Sequence, residues 1–157
     1  MLRLLLITAA ILIFPACQTT NTKNPPQKSL VLGDQKKLTQ HFATLGYTTP
    51  DRNLVALIHV CTLEIAQHAY PVIDLRELAK SPNSPRGINR IMVLNEKLEK
   101  LNAIDYTKGR PLHCKNNKLY LGAEVQLSEF PEPGNVLTFD RNGSAVQLEM
   151  IDTSHWF

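Results

Sequence analysis

Cys61 and Cys114 are the residues of this 157-residue chain whose type and placement point most directly to chemistry. Each has imidazoles close in sequence: His59 and His68 lie either side of Cys61, and His113 precedes Cys114. A thiol beside an imidazole can act as a nucleophile with its base, and thiolate, imidazole and carboxylate together can hold zinc. The spacings argue against both uses. No Cys-x-x-Cys and no His-Glu-x-x-His occurs, and on a helix His59 and His68 stand about 180° apart, too far round to serve one site. Glu64 and His68 are at i and i+4 and would share a helix face, but His68 would lie some 10 Å along the axis from Cys61. The alternative is a disulfide between Cys61 and Cys114, which an even pair in an oxidising compartment favours. Closing so long a loop stabilises a domain by roughly 4 kcal/mol in the chain-entropy treatment.

Other catalytic patterns are missing. There is no Gly-x-Ser-x-Gly elbow and no glycine-rich phosphate loop. The expectation is therefore no catalytic residue, no metal and no cofactor, with the Cys61–Cys114 disulfide holding the fold.

The elements that must position these residues read as follows. The stretch 49–70 has Thr49 to cap a helix, Pro50 for its first turn, Asp51 at the positive end of the dipole and Pro71 to stop it. Leu54, Leu57, Ile58, Cys61, Ile65 and Ala69 recur at helical spacing, with Ala56, Val60 and Leu63 on the other side. This predicts a buried central helix. A shorter amphipathic helix is expected over 35–45, with Leu38, Phe42 and Leu45 on one stripe and Gly46 as its left-handed C-cap. Asp74 and Glu77 have capping-box spacing for a short helix to residue 80. Ile88, Ile91, Leu94, Leu98 and Leu101 predict a surface helix over 86–101, its charges forming a solvated face.

The period changes after residue 111. Leu119, Leu121, Ala123, Val125 and Leu127 alternate with Tyr120, Gly122, Glu124, Gln126 and Ser128, the pattern of a half-buried strand. Asn142-Gly143 between 136–139 and 145–150 predicts a two-residue hairpin turn. Its register would set Phe139 against Val146, Thr138 against Gln147, Leu137 against Leu148 and Val136 against Glu149. The fold class expected is α+β: a helical N-terminal half packed on a C-terminal three-stranded antiparallel meander, with one disulfide.

The first residues carry an address. One basic residue, an apolar run over 4–14 and then Pro15-Ala16-Cys17 make an export signal too short to span a bilayer. Ala16-Cys17 resembles the lipobox of bacterial lipoprotein precursors, although Phe14 and Pro15 depart from the family's usual Leu and small residue. The resemblance covers only this segment. It implies cleavage before Cys17, lipidation of Cys17 and anchoring in a membrane, and Gln18 in place of Asp implies, by the same resemblance, the outer membrane facing the periplasm. Residues 1–16 are thus the signal, 17–29 the lipidated cysteine and a polar tether, and 30–157 a single small domain.

Charge adds little. Lys and Arg number 17 against 14 Asp and Glu, with Arg3 inside the signal, so no basic stripe points to nucleic acid. Trp156 and Phe157 place two aromatics together near the last residue, as a possible partner contact or a segment that folds back. The expected function is non-enzymatic: a lipid-anchored periplasmic protein that binds another envelope protein, as an assembly accessory or an immunity or inhibitor factor. The alternatives are an envelope hydrolase or metal-dependent enzyme using His68, Glu64 or His113, and a small-ligand-binding lipoprotein.

Overall fold

In a computed structural model, residues 31–80 and 86–152 are described. The expected first helix is present as α1 (Gln35–Thr44). Asp34 caps it, its carboxylate accepting from the backbone N–H of Lys36 and Lys37 at 3.0 and 3.2 Å. Gly46, at φ +68°, takes the left-handed position past its end.

Every other helix expectation is overturned, and with them the helical N-terminal half. The remaining elements are β1 (Arg52–Ile65), β2 (His68–Ala79), β3 (Gly87–Leu94), β4 (Lys100–Tyr106), β5 (Pro111–Lys115), β6 (Lys118–Val125), β7 (Gly134–Phe139) and β8 (Ala145–Glu149). They form two antiparallel four-stranded sheets in sequential order, β1-β2-β3-β4 and β5-β6-β7-β8. The fold is mostly β, and the second sheet has four strands rather than three.

The stretch read as a central helix is a hairpin. Ile65 pairs with His68 across Ala66-Gln67, both at positive φ (47° and 72°), the geometry of a type I′ turn built without Asn or Gly. Two register shifts in β1, between Leu54 and Ala56 and between His59 and Cys61, mark bulges that flip its faces. Leu57 therefore joins the apolar cluster under α1, whereas Leu63 and Ile65 join the cluster shared with the second sheet. Two bulges in fourteen residues convert a two-residue alternation into the three- and four-residue spacing of a helix.

The stretches read as the 74–80 and 86–101 helices are strands covered on both faces. Val72, Ile73 and Leu75 of β2 and Ile91, Met92, Val93 and Leu94 of β3 are all buried. One face lies under Leu38 and Phe42 of α1 and the other under Leu119, Leu121, Leu137 and Phe139. Strands sandwiched this way show continuous apolar runs rather than alternation. Asn95 organises the β3–β4 turn, its Oδ1 accepting from the N–H groups of Lys97 and Glu99 at 2.8 and 2.9 Å.

In the second sheet Val136, Leu137 and Thr138 pair as the sequence predicts, but Phe139 faces Ala145 rather than Val146. The turn is longer than two residues: Asp140 Oδ1 accepts from Asn142 and Ser144 N–H, and only Gly143 has positive φ, at 77°. This is a type I turn closed by a left-handed glycine and a bulge. β6 stops at Val125, and Ala123 is exposed because the β6–β7 register breaks between Tyr120 and Val125.

The disulfide is present. Cys61 in β1 and Cys114 in β5 are bonded with Cα atoms 5.6 Å apart, so the bridge joins two sheets rather than a helix to a sheet. Beside it Glu64 N–H donates to Asn116 C=O at 3.0 Å.

Candidate protein-binding edge

The residues offered as catalytic alternatives are placed apart. His59 lies 3.2 Å from Thr62 Oγ1, His113 stacks on Tyr120 with ring centroids 4.6 Å apart, and Cys61 and Cys114 are bonded to each other. Glu64 pairs with Ala69 and His68 with Ile65, so on this hairpin Glu64 and His68 point to opposite faces. His68 Nδ1 meets Glu96 Oε1 of the β3–β4 turn at 3.5 Å. These two line an open cleft of about 490 Å³ with Tyr70, Lys97, Glu99 and Leu101. Its two carboxylates already engage neighbours, since Glu99 accepts from Asn95 and Glu96 faces His68. Cys17, Trp156 and Phe157 lie outside the described residues.

Asp74 and Glu77, which sequence reasoning assigned to a helix cap, belong to polar clusters that mark where the two-sheet core ends. Asp74, 2% exposed, accepts from Tyr106 Oη at 2.6 Å and from Arg76 Nε and Nη2 at 3.0 and 2.6 Å. Burial, then the hydrogen bond to Asp74, pushes the Tyr106 hydroxyl well above the usual phenol range, so it stays a donor. The bond to Asp74 likewise raises Arg76, fixing its charge. On the other face Glu77, also buried, meets Arg52 Nη1 at 3.2 Å. Paired carboxylates of this kind are what a buried charge requires.

Beyond Asp74 the first sheet continues without cover from the second. β1 and β2 run fourteen and twelve residues, whereas β5 to β8 have five to eight. The overhang carries Ile58 at 46% and Leu78 at 38% exposure, with Ala56 and Arg76 between them on the same face. The outermost strand here is β1, which lies at the end of its sheet. Leu54 (38%) and the bulged Val55 (59%) are exposed along it.

An edge strand presents a row of backbone donors and acceptors, and proteins normally guard such rows with charge. The other three sheet-edge strands carry charged side chains: Lys100 and Asp105 on β4, Lys115 on β5 and Glu149 on β8. Between Arg52 and Glu64, β1 has no Asp, Glu, Lys or Arg. Its apolar run was legible in the sequence, but its position at an edge was not. No protein-family model, curated protein or solved structure matches this chain.

Proposed function

We propose that this chain is a lipid-anchored periplasmic protein, held at the outer membrane through Cys17, that binds another envelope protein along the uncharged half of β1. The observation that carries the reading is the position of β1 at the end of its sheet, with the side chains of Leu54, Val55 and Ile58 exposed along it. Strand addition to such an edge draws affinity from main-chain hydrogen bonds and specificity from alternate side chains. A polar tether over 17–29 then serves to hold the domain within reach of a partner. No covalent chemistry is assigned to the protein; the role is assembly or inhibition by contact.

The test is crosslinking and affinity capture of the anchored protein from native envelopes, run in parallel with Val55→Lys, which puts a charge on the edge. A specific protein recovered with the parent chain and lost with Val55→Lys is expected. No specific partner at good coverage, or recovery indifferent to Val55→Lys, overturns the reading. Cys17→Ser should release the protein from membranes; unchanged partitioning removes the anchor from the proposal.

A further inference from the structure

Asn142-Gly143 is the one Asn-Gly step in the chain, and such a step has a reactivity of its own. Once the Gly143 backbone nitrogen loses its proton to hydroxide, it can attack the carboxamide carbon, Asn142 Cγ. The new C–N bond closes a five-membered succinimide and the Cγ–Nδ2 bond breaks, the departing nitrogen taking a proton from water and leaving as ammonia. Water then opens the ring. Attack at Cγ gives Asp; attack at the backbone carbonyl carbon gives isoaspartate, whose main chain runs through Cβ. Glycine in second place favours the step because no side chain shields the attacking nitrogen.

The closed 140–144 turn opposes each part of this reaction. Gly143 N–H donates to Asp140 C=O at 3.1 Å, so the proton to be removed is engaged. Beside it Asp140 Oδ1 accepts from Asn142 and Ser144 N–H, both at 2.9 Å. Those bonds, Ser144's first, hold the Asp140 carboxyl below the usual carboxylate range. An anion forming at Gly143 N would therefore meet a neighbouring carboxylate that is already charged. Rotation is opposed as well. As the third residue of a type I turn Asn142 has ψ of about 0°, whereas ring closure needs Gly143 N brought round to the side of Cβ, a third of a turn away about the Cα–C bond. Gly143 has little room for that movement: it is buried at φ +77°, and a Cβ on it would stand 3.2 Å from Leu101 Cδ1 and 3.5 Å from Tyr70 Cδ1 and Val93 Cγ1. The Asn142 side chain itself is exposed, so access of water does not limit the reaction.

We propose that Asn142 is a deamidation site locked by its own turn: succinimide forms only in molecules whose 140–144 turn has opened, and the product keeps the turn from closing as before. Isoaspartate adds an atom to the main chain next to a glycine that is packed on three sides. Either product also puts a new carboxylate into the cleft that Asn142 shares with Glu96 and Glu99. The modification accumulates as a one-way record of turn opening. The inference is independent of the β1 edge and of any partner there.

The full chain in detergent is incubated at near-neutral pH beside the same chain unfolded in guanidinium. The peptide containing residue 142 is followed by mass spectrometry for the amide-to-acid mass gain and for isoaspartate. Expected is deamidation slower by about ten-fold or more in the folded protein, with Asp140→Ala raising the folded rate toward the unfolded one. Circular dichroism confirms that the variant is folded. Equal rates in the folded and unfolded parent overturn the proposal, and so does a folded Asp140→Ala that deamidates as slowly as the parent. If Asp140→Ala does not fold, hydrogen exchange at Ser144 N–H of the parent decides: protection matching the slowing of deamidation is expected, and exchange as fast as in the unfolded chain overturns the lock. The purified isoaspartate form should exchange this amide faster than the parent; exchange at the parent's rate overturns the one-way step.

Discussion

Tyr106 and Asp74 show at the residue scale how a charge is kept inside this domain. A buried carboxylate without donors would cost several kcal/mol, and here three N–H and O–H groups are aimed at it. Tyr106→Phe removes one donor while keeping the ring, so urea unfolding near neutral pH should show a loss of about 1–3 kcal/mol. The same residue sets a pH signature. Its hydroxyl titrates higher in the folded protein than in the unfolded chain, so its contribution is complete below the unfolded phenol value of about 10 and is lost as pH rises through the folded value. The stability gap between the parent and Tyr106→Phe should therefore narrow at strongly alkaline pH. A constant gap across that range would show that Tyr106 ionises no differently when folded. In sequence, Asp74 and Glu77 matched a helix cap; no local pattern says that a carboxylate three residues from another will be buried in a strand and paired with residues far along the chain.

The hairpin joining β1 to β2 is the element on which the rest of the first sheet is built, and its turn is chemically unfavourable. Ala66 and Gln67 both adopt left-handed conformations, each costing an L-residue roughly 1–2 kcal/mol relative to right-handed geometry. Replacing them together, Ala66→Asn with Gln67→Gly, should raise stability by about 1 kcal/mol in thermal or urea unfolding. A loss would mean that these side chains have a role the turn geometry does not reveal. This turn also explains the largest misreading of the sequence. With no Asn, Gly, Asp or Pro to mark it, and with bulges resetting the period of β1, the apolar residues of 54–65 fell on a helical stripe. The 140–144 turn, by contrast, contains Asn142-Gly143, and the pairing of 136–138 with 147–149 was readable because the turn residues announce it.

For the whole molecule the decisive feature is the order of layers: α1, then the first sheet, then the second. Each apolar cluster lies on one face of the first sheet, which is why its central strands carry apolar residues on both sides. The Cys61–Cys114 bond ties the edges of the two sheets at β1 and β5. Replacing both cysteines by serine should lower stability by roughly 2–4 kcal/mol, and reductant should lower the parent's Tm while leaving the double variant's unchanged. Equal stability with and without reductant would show that face-to-face packing alone holds the sheets together. Loss of the bridge is expected to act on the fold, as neither sulfur is free for chemistry.

What the sequence determined by itself was local or compositional. The α1 helix with the glycine past its end, the β7–β8 register over three pairs and the pairing of the two cysteines each rest on residues whose type or spacing alone constrains the backbone or the bond. What only the tertiary structure decided was which faces of β1 to β4 are covered, because a strand buried on both sides and a buried helix have nearly the same composition. The difference lies in neighbours contributed from elsewhere in the chain. The same neighbours, by ending short of Ile58 and Leu78, leave those two side chains exposed among the described residues, next to the edge strand β1.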